Sequence, residues 1–147
     1  RQYGFDAISL MPTNLYGPGD NFDLANSHVL PAMIRKIHEA KIGGESEVII
    51  WGTGTPRREF LHVDDLADAA VFLMKNYSNE QFLNVGVVAD IVGYEGNIVT
   101  DTTKPDGTPR KLMDVGRLNA LGWQARIPLR HGIEEVYAWY VNTLASN

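Results

Sequence analysis

The chain has 147 residues, 44% of them hydrophobic and 21% charged, which is about one domain of ordinary globular composition. Thirteen basic against eighteen acidic residues give a net charge of -5, which argues against an electrostatic grip on nucleic acid. No apolar run reaches the roughly 18–20 residues of a membrane span, and the lack of cysteine rules out disulfides, zinc ribbons and thiol catalysis within these residues and fits a cytoplasmic protein.

The chain opens Arg1-Gln2-Tyr3-Gly4-Phe5, without Met, and runs directly into an apolar stretch. It therefore reads as the C-terminal part of a longer chain, or the ordered part of one. Residues 5–11 (FDAISLM), closed by Pro12, fit a buried strand. Asn14-Leu15-Tyr16-Gly17-Pro18-Gly19-Asp20 is dense in turn formers and predicts a long loop. Leu30, Met33, Ile34 and Ile37 recur at helical spacing, with Asn26 or Ser27 as cap and Pro31 in the first turn. Residues 47–51 predict a strand, 52–56 a tight connection and 59–63 another short strand. Asp65 and Asp68 resemble a capping box that opens a helix over 66–75. Residues 82–86 predict a strand. The apolar stretch 87–92 is too short for a helix that crosses a sheet, so an interior segment is expected to be missing at the Gly86-Val87 junction. Short strands are expected at 98–99 and 111–113, and a short helix over 115–121 with Gly122 at its C′ position. Ile133, Val136, Tyr137, Tyr140 and Leu144 form the stripe of a final amphipathic helix. Strands alternating with helices mean an α/β fold with parallel pairing.

Several residues could carry chemistry. His28 follows a turn-rich loop at the mouth of a helix, where the positive end of the dipole favours neutral imidazole; a capping or surface role is the plainer alternative. His38, on the polar side of its helix, and His131 read as ordinary, and His62, between Leu61 and Val63, as a satisfied structural histidine. No pair has metal-ligand spacing, so no metal is expected. Helix capping accounts for Asp64-Asp65. Gly52-Thr53-Gly54 is a turn and not a phosphate loop, since no helix opens after it. Asn76-Tyr77-Ser78 is a glycosylation sequon by pattern alone. Arg57-Arg58 and Arg110-Lys111 each follow rigid Pro/Gly turns, where basic pairs can grip a diphosphate or be plain solvated charge. Trp51 nearby can stack on a base or pack against the ligand.

Taken together, Met11-Pro12-Thr13-Asn14-Leu15-Tyr16-Gly17-Pro18, Asn26-Ser27-His28-Val29-Leu30-Pro31 and Trp51-Gly52-Thr53-Gly54-Thr55-Pro56-Arg57-Arg58-Glu59-Phe60 resemble one family. Leu61-His62-Val63-Asp64-Asp65 and Lys104-Pro105-Asp106-Gly107-Thr108-Pro109-Arg110-Lys111 add to the match. The chain is similar to the C-terminal half of the GDP-L-fucose synthases, in the extended short-chain dehydrogenase/reductase superfamily. The resemblance implies a substrate-binding domain over 1–147 that includes the last strands of a Rossmann-type parallel sheet. It implies a reaction too: 3,5-epimerisation of GDP-4-keto-6-deoxy-D-mannose, then 4-reduction by NADPH, in a cytoplasmic homodimer built through the N-terminal half. His28 would be the acid that returns protons. Pro12, Thr13, Asn14, Leu15 and His28 would border NADP. Lys36, Trp51, Arg58, Asp106 and Lys111 would hold the GDP-sugar, with Arg35 an alternative to Lys36. The family's glycine fingerprint, Tyr-x-x-x-Lys pair, catalytic Ser and partner Cys lie upstream of the matching region, so these residues alone are expected to be inactive. The alternatives are another sugar-nucleotide epimerase or dehydratase, and a non-catalytic nucleotide-sugar binding module.

Overall fold

Short apolar runs punctuated by Pro and Gly yield strands of two to five residues, and longer 3.6-period stretches yield the helices. A computed structural model describes residues 2–86, 97–106 and 110–146. In chain order the elements are β1 (Leu10–Pro12), β2 (Asn14–Tyr16), α1 (Val29–Gly43), β3 (Glu47–Trp51), β4 (Arg57–Arg58), β5 (Phe60–His62) and α2 (Val63–Asn76). There follow β6 (Leu83–Val85), β7 (Asn97–Asp101), β8 (Arg110–Lys111), α3 (Gly116–Ala120) and α4 (Leu129–Ala145). The described strands form parallel pairs, β1 with β6, β2 with β5, β3 with β7 and β4 with β8. The expected missing segment at the Gly86-Val87 junction falls on 87–96, outside the described residues, as do Gly107, Thr108 and Pro109.

The chain divides into two compact units. Unit 1 comprises residues 1–17, 59–89 and 112–135; unit 2 comprises 18–58, 90–111 and 136–147.

In unit 1, Leu61, Ala69, Leu73, Leu83, Val85, Leu118 and Trp123 make the buried core, with Leu10, Leu15 and Phe72 packed against it. A fully buried leucine contributes roughly 1.5–3 kcal/mol over an exposed one, so Leu61, Leu73, Leu83 and Leu118 carry much of the burial. The predicted strand over 5–11 shrinks to Leu10–Pro12, and Phe5 is exposed. The predicted loop after it contains β2, since parallel pairing of Asn14, Leu15 and Tyr16 with Phe60, Leu61 and His62 overrides local turn propensity. Gly132 lies against the Tyr16 ring, where a Cβ would collide.

The opening of α2 differs from expectation. His62, not Asp65, is the N-cap, and its Nδ1 accepts from the Asp64 amide at 3.3 Å. Asp65 is buried and accepts instead from the amides of Arg126 (3.1 Å) and Ile127 (3.0 Å). A carboxylate that satisfies two amides of a distant loop is a tertiary staple. Asp68 likewise accepts from Trp123 Nε1 at 2.8 Å.

In unit 2, α1 turns Leu30, Pro31, Ile34 and His38 inward. Its N-cap is His28 rather than Asn26 or Ser27, whose amides turn back to Asp23, and Gly44 closes it at φ 69. His38 is buried, against the expectation of a polar face, and meets Tyr137 Oη at 3.1 Å. Phe22 stacks on Tyr140 with centroids 4.4 Å apart. The strand predicted over 47–51 is found as β3 with the same bounds.

Candidate functional site

The residues singled out from the sequence fall into two groups, one in each unit. In unit 1, Pro12, Thr13, Asn14 and Leu15 span the end of β1 and the start of β2. The carboxyl ends of parallel strands are where open α/β sheets bind ligands, and β1 and β6 end together there, with Pro12 opposite Val85. Thr13 N donates to the Val85 carbonyl at 3.0 Å. Thr13 Oγ1 (3.1 Å) and Asn14 Nδ2 (2.9 Å) both donate to the main-chain oxygen of Glu59. That fixes the turn between the strands and leaves Pro12 exposed and Leu15 half-buried.

Glu59 is the residue that sequence reasoning missed here. It is fully buried; Oε2 accepts from Met113 N at 3.1 Å, and Oε1 has no hydrogen-bond partner. Burial pushes its carboxyl up, against the smaller opposing pull of the Met113 amide. An acid set between Arg58 and an apolar strand is the available signal, but charge alone does not reveal which way it faces.

Farther along the same strands, Tyr16 packs edge-on against Phe60 and His62. Burial, with the charges of Asp65 and Glu135 adding to it, pushes the Tyr16 hydroxyl up to about 12, so it remains a neutral phenol at physiological pH. His62, Asp64 and Glu135 bring three possible metal ligands within 4.8 Å of one another. Hydrogen bonding argues against a metal there. Nδ1 accepts from an amide, so the neutral ring carries its proton on Nε2, the nitrogen facing Glu135 at 3.7 Å. The histidine expected to be satisfied is so at Nδ1 only; Nε2 is buried without a hydrogen-bond partner.

In unit 2, His28 is exposed at the mouth of α1, in extended conformation, and its side chain caps nothing. The ring is therefore available at the positive end of a 15-residue helix. One turn and more along α1, Arg35 is committed to Glu39 (2.7 Å) and to the Phe22 carbonyl (3.2 Å). Lys36 instead donates to the Ile49 carbonyl at 3.2 Å and lies over the Trp51 indole, 5.4 Å from its centroid. Lys104, missing from the set chosen by sequence, lies over the same ring at 5.5 Å. Its signal was its place in the Lys-Pro-Asp-Gly run; what that run faces is a tertiary fact.

Asp106 staples two loops together. Its Oδ1 accepts from Thr53 N and its Oδ2 from Thr53 Oγ1, both at 2.8 Å, and these bonds hold its carboxyl below the usual carboxylate range. Gly52, at φ 82, abuts the same carboxylate, so glycine suits this position on both counts. The turn expected at 52–56 is thus tied to a loop fifty residues away. β4 and β8 then set the two basic pairs side by side, Arg57 opposite Arg110 and Arg58 opposite Lys111.

The chain is similar to proteins of known family. Residues 1–86 match the sequence profile of the NAD dependent epimerase/dehydratase family. The chain is 55% identical over 157 residues to a probable GDP-L-fucose synthase 1 of Oryza sativa subsp. japonica, covering 99% of this chain and 48% of that protein. It is 54% identical over 157 residues to GDP-L-fucose synthase 1 of Arabidopsis thaliana, covering 99% of this chain and 49% of that protein. Those alignments are longer than the chain, so the relatives carry residues that it lacks. Among solved structures, a GDP-L-fucose synthetase from Naegleria fowleri with NADP bound superposes with a TM-score of 0.83 at 29% identity, covering 95% of this chain and 48% of that one. The fold is the expected α/β class with Rossmann-type parallel strands, and the chain spans about half the length of the curated relatives it matches.

Proposed function

The chain belongs to the NAD dependent epimerase/dehydratase family, and from that premise we propose that the intact protein is a GDP-L-fucose synthase. It epimerises C3 and C5 of GDP-4-keto-6-deoxy-D-mannose and reduces C4 with NADPH to give GDP-L-fucose. The observation that carries this reading is the identity of 54–55% to curated GDP-L-fucose synthases over 99% of the chain, and the register of β4 on β8, which sets Arg58 opposite Lys111, agrees with it. In this reading the diphosphate meets Arg58 and Lys111, with bidentate contact from arginine and a point charge from lysine.

The residues present fit the nicotinamide edge of the cofactor. The turn over Pro12, Thr13, Asn14 and Leu15 is held at the ends of β1 and β6 by bonds to Glu59 and Val85, which prearranges a surface for a flat ring. When bound, NADPH supplies the hydride for C4. Hydrogens beside a ketone are acidic enough to be removed by a base, and the exposed His28 ring returns protons as the acid. It also borders the cofactor. Lys36, Arg58 and Lys111 contact the GDP-sugar, Trp51 acts there beside Lys36, and Asp106 acts there by holding the turn that follows Trp51. The reading includes a homodimer in the cytoplasm; no described helix is long and apolar enough to cross a membrane.

The test is NADPH oxidation by the intact protein with GDP-, UDP- and dTDP-linked 4-keto-6-deoxyhexoses. Oxidation with the GDP-linked substrate alone is expected. Equal rates with all three would overturn the substrate assignment.

A further inference from the structure

Trp51 ends β3 with its side chain in solvent, 64% exposed, yet its indole is not free. Lys36 Nζ approaches it to 5.4 Å from α1, and Lys104 Nζ to 5.5 Å from the turn after β7. Two ammonium groups on one ring centroid stand no more than about 11 Å apart, and like charges at that range repel.

Neither nearby carboxylate forms an ion pair with these lysines among the described residues. Asp101 feels the charge of Lys104, but its Oδ1 accepts from Thr103 N (3.0 Å) and Thr103 Oγ1 (2.6 Å). Asp106 is occupied by Thr53 through both oxygens. Among the described residues no ion pair is found for either lysine. Lys36 makes one bond, to the Ile49 carbonyl, which leaves two of its three N–H donors for other partners. The ring offers an attraction that holds both cations near a surface position without cancelling their charge. What is assembled is a pair of cations that share one ring and, among the described residues, make no direct ion pair.

We infer that Lys104 is a diphosphate-binding residue, and that Trp51 is a positioning residue whose indole holds Lys36 and Lys104 toward that diphosphate instead of stacking on the base. The inference rests on the nucleotide-sugar reading above and adds a residue and a division of labour to it. A base stacked on Trp51 would have to displace a cation from the ring. A diphosphate gains from both cations and relieves their repulsion.

Calorimetry on the intact protein tests it, with GDP as one probe and guanosine, which keeps base and ribose without phosphate, as the other. Lys104→Gln is expected to weaken GDP binding about tenfold, the scale of one charged hydrogen bond, and to leave guanosine unchanged. Lys104→Arg should retain most of the GDP affinity. Trp51→Leu should also weaken GDP more than guanosine. The double variant should fall well short of the product of the two single effects, because losing the ring already releases Lys104. Unchanged GDP affinity in Lys104→Gln overturns the inference while the function proposal stands. So does an equal loss of GDP and guanosine in Trp51→Leu, which would mark a base platform. If the wild-type protein binds no GDP, the function proposal itself fails, and this inference fails with it.

Discussion

In unit 1 two acids of the sequence motifs face inward: Glu59 is 0% and Asp65 4% exposed, and both accept from backbone amides of distant loops. In unit 2 the polar and aromatic groups of the motifs face outward, with Trp51 64% exposed beneath two lysines and His28 open at a helix mouth. Residues of the same motif therefore do different work. Arg58 and Glu59 are neighbours in one Arg-Glu-Phe run, yet Arg58 takes part in a basic strand pair while Glu59 is sealed under Met113. Burial decides between the roles: a buried acceptor costs its full desolvation when its partner is lost, whereas an exposed cation is solvated with or without its ligand.

The contrast can be broken most directly at Asp65. Asp65→Ala strips acceptors from the amides of Arg126 and Ile127 and should destabilise by about 2–4 kcal/mol. Chemical denaturation of the intact protein measures it, and a loss below about 0.5 kcal/mol would place Asp65 among ordinary surface residues.

A smaller effect, with a definite sign, is expected at Glu59. Burial raises its folded value above the ordinary 4.5, so the native state favours the protonated acid. The stability this contributes is fully present below 4.5 and is lost as pH rises through the raised value. Stability of the wild type relative to Glu59→Gln should therefore fall as pH climbs through that window. A flat difference across it would show that the carboxyl is solvated.

Smallest of all should be the stability change at Trp51. Trp51→Leu is expected to stay within about 0.5 kcal/mol of wild type, as surface substitutions do, even where it weakens GDP binding. Gross destabilisation would mean that the indole is part of the fold and not part of the site.

How much of this is legible in the sequence follows the same division. β3 was readable to the residue because Glu47-Val48-Ile49-Ile50-Trp51 is β-rich and bounded by turn formers. The stripes of α1 and α4 were readable from periodicity. β2 was not, because three residues amid Pro and Gly form a strand only through pairing with β5. Capping chemistry pointed to Asp65, but its partners lie some sixty residues away and took it out of the cap. Asp106, expected at the GDP-sugar, also accepts from Thr53 through both oxygens, a partner that the local pattern does not indicate. Lys104 was overlooked because its meaning depends on sharing a ring with Lys36. Local pattern reports which elements form; side-chain roles depend on contacts of long sequence separation.

The central claim is that the exposed ring of His28 supplies protons to a GDP-linked ketosugar. It is tested by deuterium incorporation at C3 and C5, followed by NMR in heavy water without NADPH, in the intact wild type and in His28→Gln. The wild type should exchange both positions and the variant should be slower by at least ~10²-fold, the lower range for general acid catalysis, with GDP binding retained. Exchange in the variant at the wild-type rate would contradict the account and leave His28 a residue that merely begins a helix.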